Sequence, residues 1–352
     1  MDGLGTILDS EEGRTREAVT DQSAPGFEAF VEQTWSMLVV TEDAAGELVQ
    51  VAVIAATDRT GGGGTVLLVP SEASASGCAA QPCRLVDRHR EGGVETVRAS
   101  VTELMGVGVT GTALLTPTRW ENLAGASPAV VVELPGDLVA TAADGTSVVR
   151  FPAGTVAVAP AEVVDLLGFV DDVGGMDRLA RQREWWTGWM GQVGVGDPAA
   201  NLPALDLDLV HLLVTVATGP VRVVTSPWAV DGSSMVVDGT ALDDLVVAMF
   251  PFPVPLVPGQ LPTVRLLNGT GDPSLDAPAR EAVLRASVEL AVVGNYRHDG
   301  AIQTRVIHRD PAQAEAANAL AALLGAGVIF DEMASPVADL TVVIGADFRP
   351  AG

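Results

Sequence analysis

Five prolines, Pro251, Pro253, Pro255, Pro258 and Pro262, fall within twelve residues. Proline fixes φ and lacks a backbone donor, so such a run extends as a semi-rigid spacer and cannot continue a helix or a central strand. A single core cannot be threaded through it. The 352-residue chain is therefore expected to form two bodies, residues 30–252 and 262–348, joined by a linker at 253–261. Residues 1–29 are charged, contain Gly and Ser and show no periodicity, which reads as a flexible leader.

Within the first body, Val-rich runs at 36–40, 49–55 and 65–69 read as buried strands. Val94, Val97, Val101 and Leu104 recur at helical spacing and predict an amphipathic helix over 93–105. Strands are expected at 112–116, 130–134 and 221–225, with helices at 205–216 and 241–249. Asp177 is placed to cap a further helix running to about Gln192. The second body reads as strands at 263–267, 303–308 and 340–344 with helices at 277–290 and 311–324. Alternating strands and helices define an α/β chain.

Charge narrows the function classes. There are 45 acidic residues against 20 basic ones, a net charge of −25, and every basic residue is Arg. A nucleic-acid partner requires cationic side chains to neutralise phosphates, so none is expected, and a transcriptional regulator is the least favoured reading. Without Lys there is no Schiff-base chemistry. No run approaches the ~18 apolar residues of a membrane span. No basic segment followed by an apolar stretch opens the chain, so no signal peptide is visible. The chain reads as cytosolic or as a piece lacking its anchor.

Cys78 and Cys83 are five positions apart. That spacing suits neither a C-x-x-C redox pair nor a zinc site. It leaves two buried thiols or a small loop-closing disulfide, the latter implying an oxidising compartment. No metal site is expected. Gly106, Gly108 and Gly111 match G-x-G-x-x-G, but here a helix precedes and a strand follows, the reverse of a dinucleotide loop, so a helix C-cap and turn is expected. His298-Asp299 and His308-Arg309-Asp310 read as solvated loop residues, and His211 as a core or boundary histidine. Asn268-Gly269-Thr270 reads as a sequon or a strand-to-helix turn.

Two features on the 177–192 helix carry more weight. Trp185, Trp186 and Trp189 form an aromatic face, either core or the wall of a long apolar ligand pocket. Arg178, Arg181, Gln182 and Arg183 are the densest cationic cluster in the chain. Arg178 and Gln182 are four apart and share a face, as a phosphate grip requires. The competing reading is a solvated helix start paired with Asp171, Asp172 and Glu184.

The order of elements over 85–138, with "GGVETVRASVTELMGVGVTGTALLTPTRWENLAGASPAVVVELPGDL", resembles the middle of the LytR-CpsA-Psr family. Residues 176–193, "MDRLARQREWWTGWMGQV", look like that family's Asp-x-x-Arg-x-x-Arg-Gln-Gln helix. Residues 262–348, from "PTVRLLNGTGDPSL" to "LTVVIGADF", resemble the LytR C-terminal domain. The resemblance implies an α/β/α sandwich around a mixed sheet followed by a small α/β domain. It also implies an extracytoplasmic position behind a membrane anchor and, in active members, transfer of glycopolymers from polyprenyl-pyrophosphate carriers to peptidoglycan.

Active relatives hold the pyrophosphate with Arg and a magnesium-binding Asp pair. Here the segment that should supply Arg-x-Asp-Thr reads "AAGELVQ" (44–50). The Ser-x-Pro-Arg-Asp segment reads Leu68-Val69-Pro70-Ser71-Glu72. The Tyr-Val-Arg-x-Arg segment reads "DLLGFV" (165–170). Only Arg178 and Gln182 keep the pattern. The expectation is a degenerate member: an envelope scaffold, or a protein binding polyprenyl lipid, cell-wall polymer or an envelope protein partner. Arg178, Arg181, Gln182 and the three tryptophans would be its ligand-binding residues, without a cofactor. The alternative is a surviving phosphotransferase built on Glu72, Arg178 and Gln182 with Mg²⁺, helped by Arg84 or Arg88.

Overall fold

The computed structural model describes residues 10–11, 14–15, 19–141, 144–170, 175–204, 207–298 and 300–349. The chain forms two compact units. One comprises residues 34–250, and the other comprises residues up to 33 together with 251 onward. The strand Glu28–Phe30 (β1) belongs to the second unit.

The 34–250 unit is built on β2 (Ser36–Glu42), β3 (Leu48–Ala56), β4 (Gly64–Val69), α1 (Leu85–Met105), β5 (Gly111–Leu115), α2 (Pro117–Ala124), β6 (Val130–Leu134), β7 (Leu138–Thr141), β8 (Ser147–Phe151) and β9 (Gly154–Val158). It continues through α3 (Val163–Gly168), α4 (Gly175–Val193), α5 (Asp208–Ala217), β10 (Val221–Thr225), β11 (Trp228–Asp231), β12 (Ser234–Val237) and α6 (Gly239–Met249). Its sheet runs β10-β4-β3-β2-β5. The three inner strands pair antiparallel, and each outer strand joins parallel to its neighbour. The mixed sheet and its flanking helices are the expected α/β architecture. All nine residues of β3 and all six of β4 are buried. A strand buried on both faces reads as a continuous apolar run, which is why these segments were legible. The pairs β6–β9, β7–β8 and β11–β12 are antiparallel ribbons outside the main sheet.

Several local expectations change. The helix expected from residue 93 begins at Leu85 and kinks at Gly92-Gly93, whose backbone is not helical. Gly106 ends it with φ 69°, so the G-x-G-x-x-G match is a C-cap. Asp177 lies in the first turn of α4 and is not its cap, because the helix starts at Gly175. The start expected for α5 at 205 lies outside the described residues, as do Asp171, Asp172 and Asp299.

The second unit adds β13 (Thr263–Asn268), α7 (Asp276–Leu284), β14 (Glu289–Asn295), β15 (Arg305–His308), α8 (Ala314–Leu324), β16 (Gly327–Phe330) and β17 (Leu340–Ile344). Its sheet order is β16-β15-β17-β13-β14-β1. Here the leader reading is corrected at its end: Glu28–Phe30 pairs antiparallel with 292–294. Glu28 accepts from the guanidinium of Arg265, and both side chains are largely buried. Gly294 permits this approach, since a Cβ there would stand 2.0 Å from the Phe27 carbonyl oxygen. The helix expected over 277–290 stops at Leu284, and 289–295 is a strand parallel to β13. His308 is buried, not solvated, with Nδ1 2.9 Å from the Asp310 carbonyl oxygen. His211 is exposed. Asn268 is also buried. It accepts from Thr270 and donates to the Asp272 carbonyl and to Asp276, so the amide builds the strand-to-helix turn.

Candidate functional site

Glu72 and Ser71 follow Pro70 at the end of β4. Their backbone is fixed on two sides. Met235 of β12 donates to the Glu72 carbonyl at 2.8 Å, and Val86 of α1 donates to the Ser71 carbonyl at 2.9 Å. Against them stands Arg178, from the second turn of α4 and only 8% exposed. Its Nη2 donates to Ser71 Oγ at 2.9 Å and to the Glu72 carboxylate, and Ser71 Oγ lies 3.2 Å from Glu72 Oε2. The guanidinium that family likeness would aim at a phosphate is thus held by a carboxylate and a hydroxyl of its own chain. A buried charge is tolerated when paired and hydrogen-bonded in this way.

Arg181 and Gln182 serve α3. Arg181 Nε donates to the Leu166 carbonyl at 3.2 Å and its Nη2 to that of Phe169, with the guanidinium over the Phe169 ring. Gln182 Nε2 donates to the Leu167 carbonyl at 2.8 Å. The last carbonyls of a helix have no intrahelical partner, and these two side chains satisfy them. Both were expected to grip a ligand, and here these donors serve the end of α3.

Trp185, Trp186 and Trp189 are 0–1% exposed. They close on Trp120 of α2, and every ring centroid lies within 5.9 Å of the other three. Trp120 Nε1 donates to Thr41 Oγ1 at 3.0 Å and Trp186 Nε1 to Gln50 Oε1 at 2.9 Å. The aromatic face is core. A groove wall needs exposed ring faces, and here the faces are spent on one another.

Arg84 and Arg88 are also engaged. Arg84 chelates Asp87 at 2.7 and 3.0 Å, which pulls the Asp87 carboxyl below the usual carboxylate range and raises the guanidinium. Arg88 donates to the Gly77 carbonyl at 2.8 Å and to Glu91 at 3.0 Å. The loop before them carries a Cys78–Cys83 disulfide.

The Mg²⁺ implied by family likeness is not fitted by these residues. Among the described residues no three His, Cys, Asp or Glu side chains converge as a ligand set, and the one carboxylate at the site is held by a guanidinium. Nor, among the described residues, is any helix long and apolar enough to cross a membrane. Neither the Glu72–Arg178 pairing nor the role of Ser71 was foreseen. The partners are more than a hundred positions apart, and no local pattern announces them.

The 34–250 unit is therefore an α/β domain around a mixed five-stranded sheet, with Arg178 paired to Glu72 within it. Residues 262–348 match the family described as LytR cell envelope-related transcriptional attenuator, as the resemblance implied for this stretch. The chain is similar to B. subtilis TagV, at 12% identity and a TM-score of 0.48, covering 62% of this chain and 96% of that one. It is also similar to the LytR-CPS2A-psr family protein YwtF (TagT) with bound octaprenyl pyrophosphate lipid, at 15% identity and a TM-score of 0.46, covering 70% and 95%. A third similar structure is the LytR-Csp2A-Psr enzyme from Actinomyces oris, at 13% identity and a TM-score of 0.46, covering 62% and 92%. No curated protein matches the chain in sequence.

Proposed function

We propose that this is an extracytoplasmic cell-envelope protein of LytR-CpsA-Psr type whose 34–250 unit holds a polyprenyl lipid without turning it over. The observation that carries this reading is the pairing of Arg178 with Glu72 and Ser71. Removing one preorganised charge stabiliser from a catalytic site costs about 10²–10³ in rate. Here the arginine is neutralised and three further family segments lack theirs. The description of the C-terminal family and the disulfide support the compartment.

A cavity apart from the tryptophans supports a prenyl-holding role. A cavity of about 500 Å³ lies between β2, β5, α2 and α5, lined by Met37, Leu114, Leu115, Leu123, Leu209 and Val210. That volume is within the ~300–1,000 Å³ range of small-molecule sites, and its walls are mostly apolar. Native mass spectrometry with octaprenyl pyrophosphate tests the reading. A one-to-one complex that Ala113→Trp weakens at least tenfold is expected. Absence of the complex, or a complex indifferent to Ala113→Trp, removes the lipid-holding role.

A further inference from the structure

The second unit contains a half-buried guanidinium on its first long helix. Arg280, on α7, lies with its guanidinium 5.4 Å over the Phe252 ring, and its Nε is buried without a hydrogen-bond partner. Among the described residues it makes no ion pair. Burial pushes its pKa down, with Glu281 and Asp276 opposing that shift from a distance. Asp276 is one turn before it on α7, which is the spacing of a helix-surface ion pair. That pair is not formed, and the Asp276 Oδ1 instead accepts from Asn268 at 2.7 Å.

Both side chains line a cavity of about 240 Å³. It opens at the carboxyl ends of the parallel strands β13, β14 and β17, through Leu266, Val293 and Ile344. Crevices at the carboxyl ends of parallel strands are where open α/β sheets take their ligands. The floor is apolar, and one side offers a cation and, one helical turn away, an anion.

We infer that this crevice binds a small apolar α-amino acid, with its carboxylate on Arg280, its ammonium on Asp276 and its side chain on Leu266, Val293 and Ile344. A dianionic phosphate is disfavoured by the Asp276 carboxylate. An apolar molecule without charge leaves Arg280 as it stands, half-buried with its Nε unsatisfied, an arrangement that a carboxylate relieves.

The experiment uses the full chain and leucine as probe, followed by methyl NMR and calorimetry, with 4-methylpentanoate and isopentylamine as arms lacking one charge each. Leucine is expected to shift the Leu266, Val293 and Ile344 methyls. Arg280→Gln and isopentylamine are each expected to lose at least tenfold in affinity, and Asp276→Asn or 4-methylpentanoate a smaller factor. Arg280→Gln removes an unpaired charge, so its melting temperature should be no lower than wild type, which separates lost binding from lost folding. No shift with millimolar leucine, or leucine binding that survives Arg280→Gln, overturns the inference. Binding of 4-methylpentanoate as tight as leucine overturns the role given to Asp276.

Discussion

Arg178 donates to Glu72, and the two are brought together by the end of β4 and the second turn of α4. This pairing places a carboxylate where an anionic ligand would otherwise compete for the guanidinium. A ligand phosphate must displace Glu72 to reach Arg178, and the displaced carboxylate then repels it.

Glu72→Gln therefore frees the arginine. Inorganic pyrophosphate, measured by calorimetry, should bind the variant about tenfold tighter than wild type, equivalent to about 1.4 kcal/mol. Arg178→Ala introduced into the same chain should erase the gain. Unchanged affinity in Glu72→Gln would mean that the pair does not guard the site.

Arg181 and Gln182 stabilise α3, and their loss should register in folding. Arg181→Ala and Gln182→Ala each remove side-chain hydrogen bonds from carbonyls at the helix end, at a cost of about 1–3 kcal/mol in urea unfolding. Affinity for octaprenyl pyrophosphate should stay within twofold of wild type.

The tryptophan cluster should behave as core. Trp189→Ala opens a large void and should cost about 3–5 kcal/mol. Since four of the six tryptophans lie in this sealed cluster, lipid addition should shift the emission maximum of native protein very little.

Acid should weaken the 34–250 unit through Asp87. Its carboxyl is depressed by the hydrogen bond from Arg84, so its contribution is fully present above the unfolded carboxylate value of about 3.9. That contribution is lost as pH falls through the lower folded value. Urea midpoints measured between pH 6 and acid should fall less steeply in Asp87→Asn than in wild type.

Gly294→Ala should unseat β1. The new Cβ meets the Phe27 carbonyl, and Glu28 then leaves Arg265. Hydrogen exchange at residues 28–30 should accelerate by at least tenfold, while exchange in β3 stays unchanged.

Much of the fold was legible because the central strands are buried on both faces and are rich in Val, Leu, Ile and Ala. β14 was not: "ELAVV" follows a helix with only Arg285-Ala286-Ser287-Val288 between, and nothing local marks the change of period. β1 was missed for a different reason. Its three residues gain their pairing from a strand more than 260 positions away, and so short a segment carries no trace of that. The site divided in the same way. The residue types missing from family positions could be read directly, whereas the engagement of Arg178, Arg181 and Gln182 depended on contacts distant in sequence. The tryptophans illustrate a pattern with two readings, and Trp120 on another helix decided between them.

Phosphate release from octaprenyl pyrophosphate in the presence of Mg²⁺ is the most direct measurement. Wild type and Arg178→Ala should both stay at the background seen without protein. Release by wild type at least a hundredfold above that background, abolished by Arg178→Ala, would contradict a holding role.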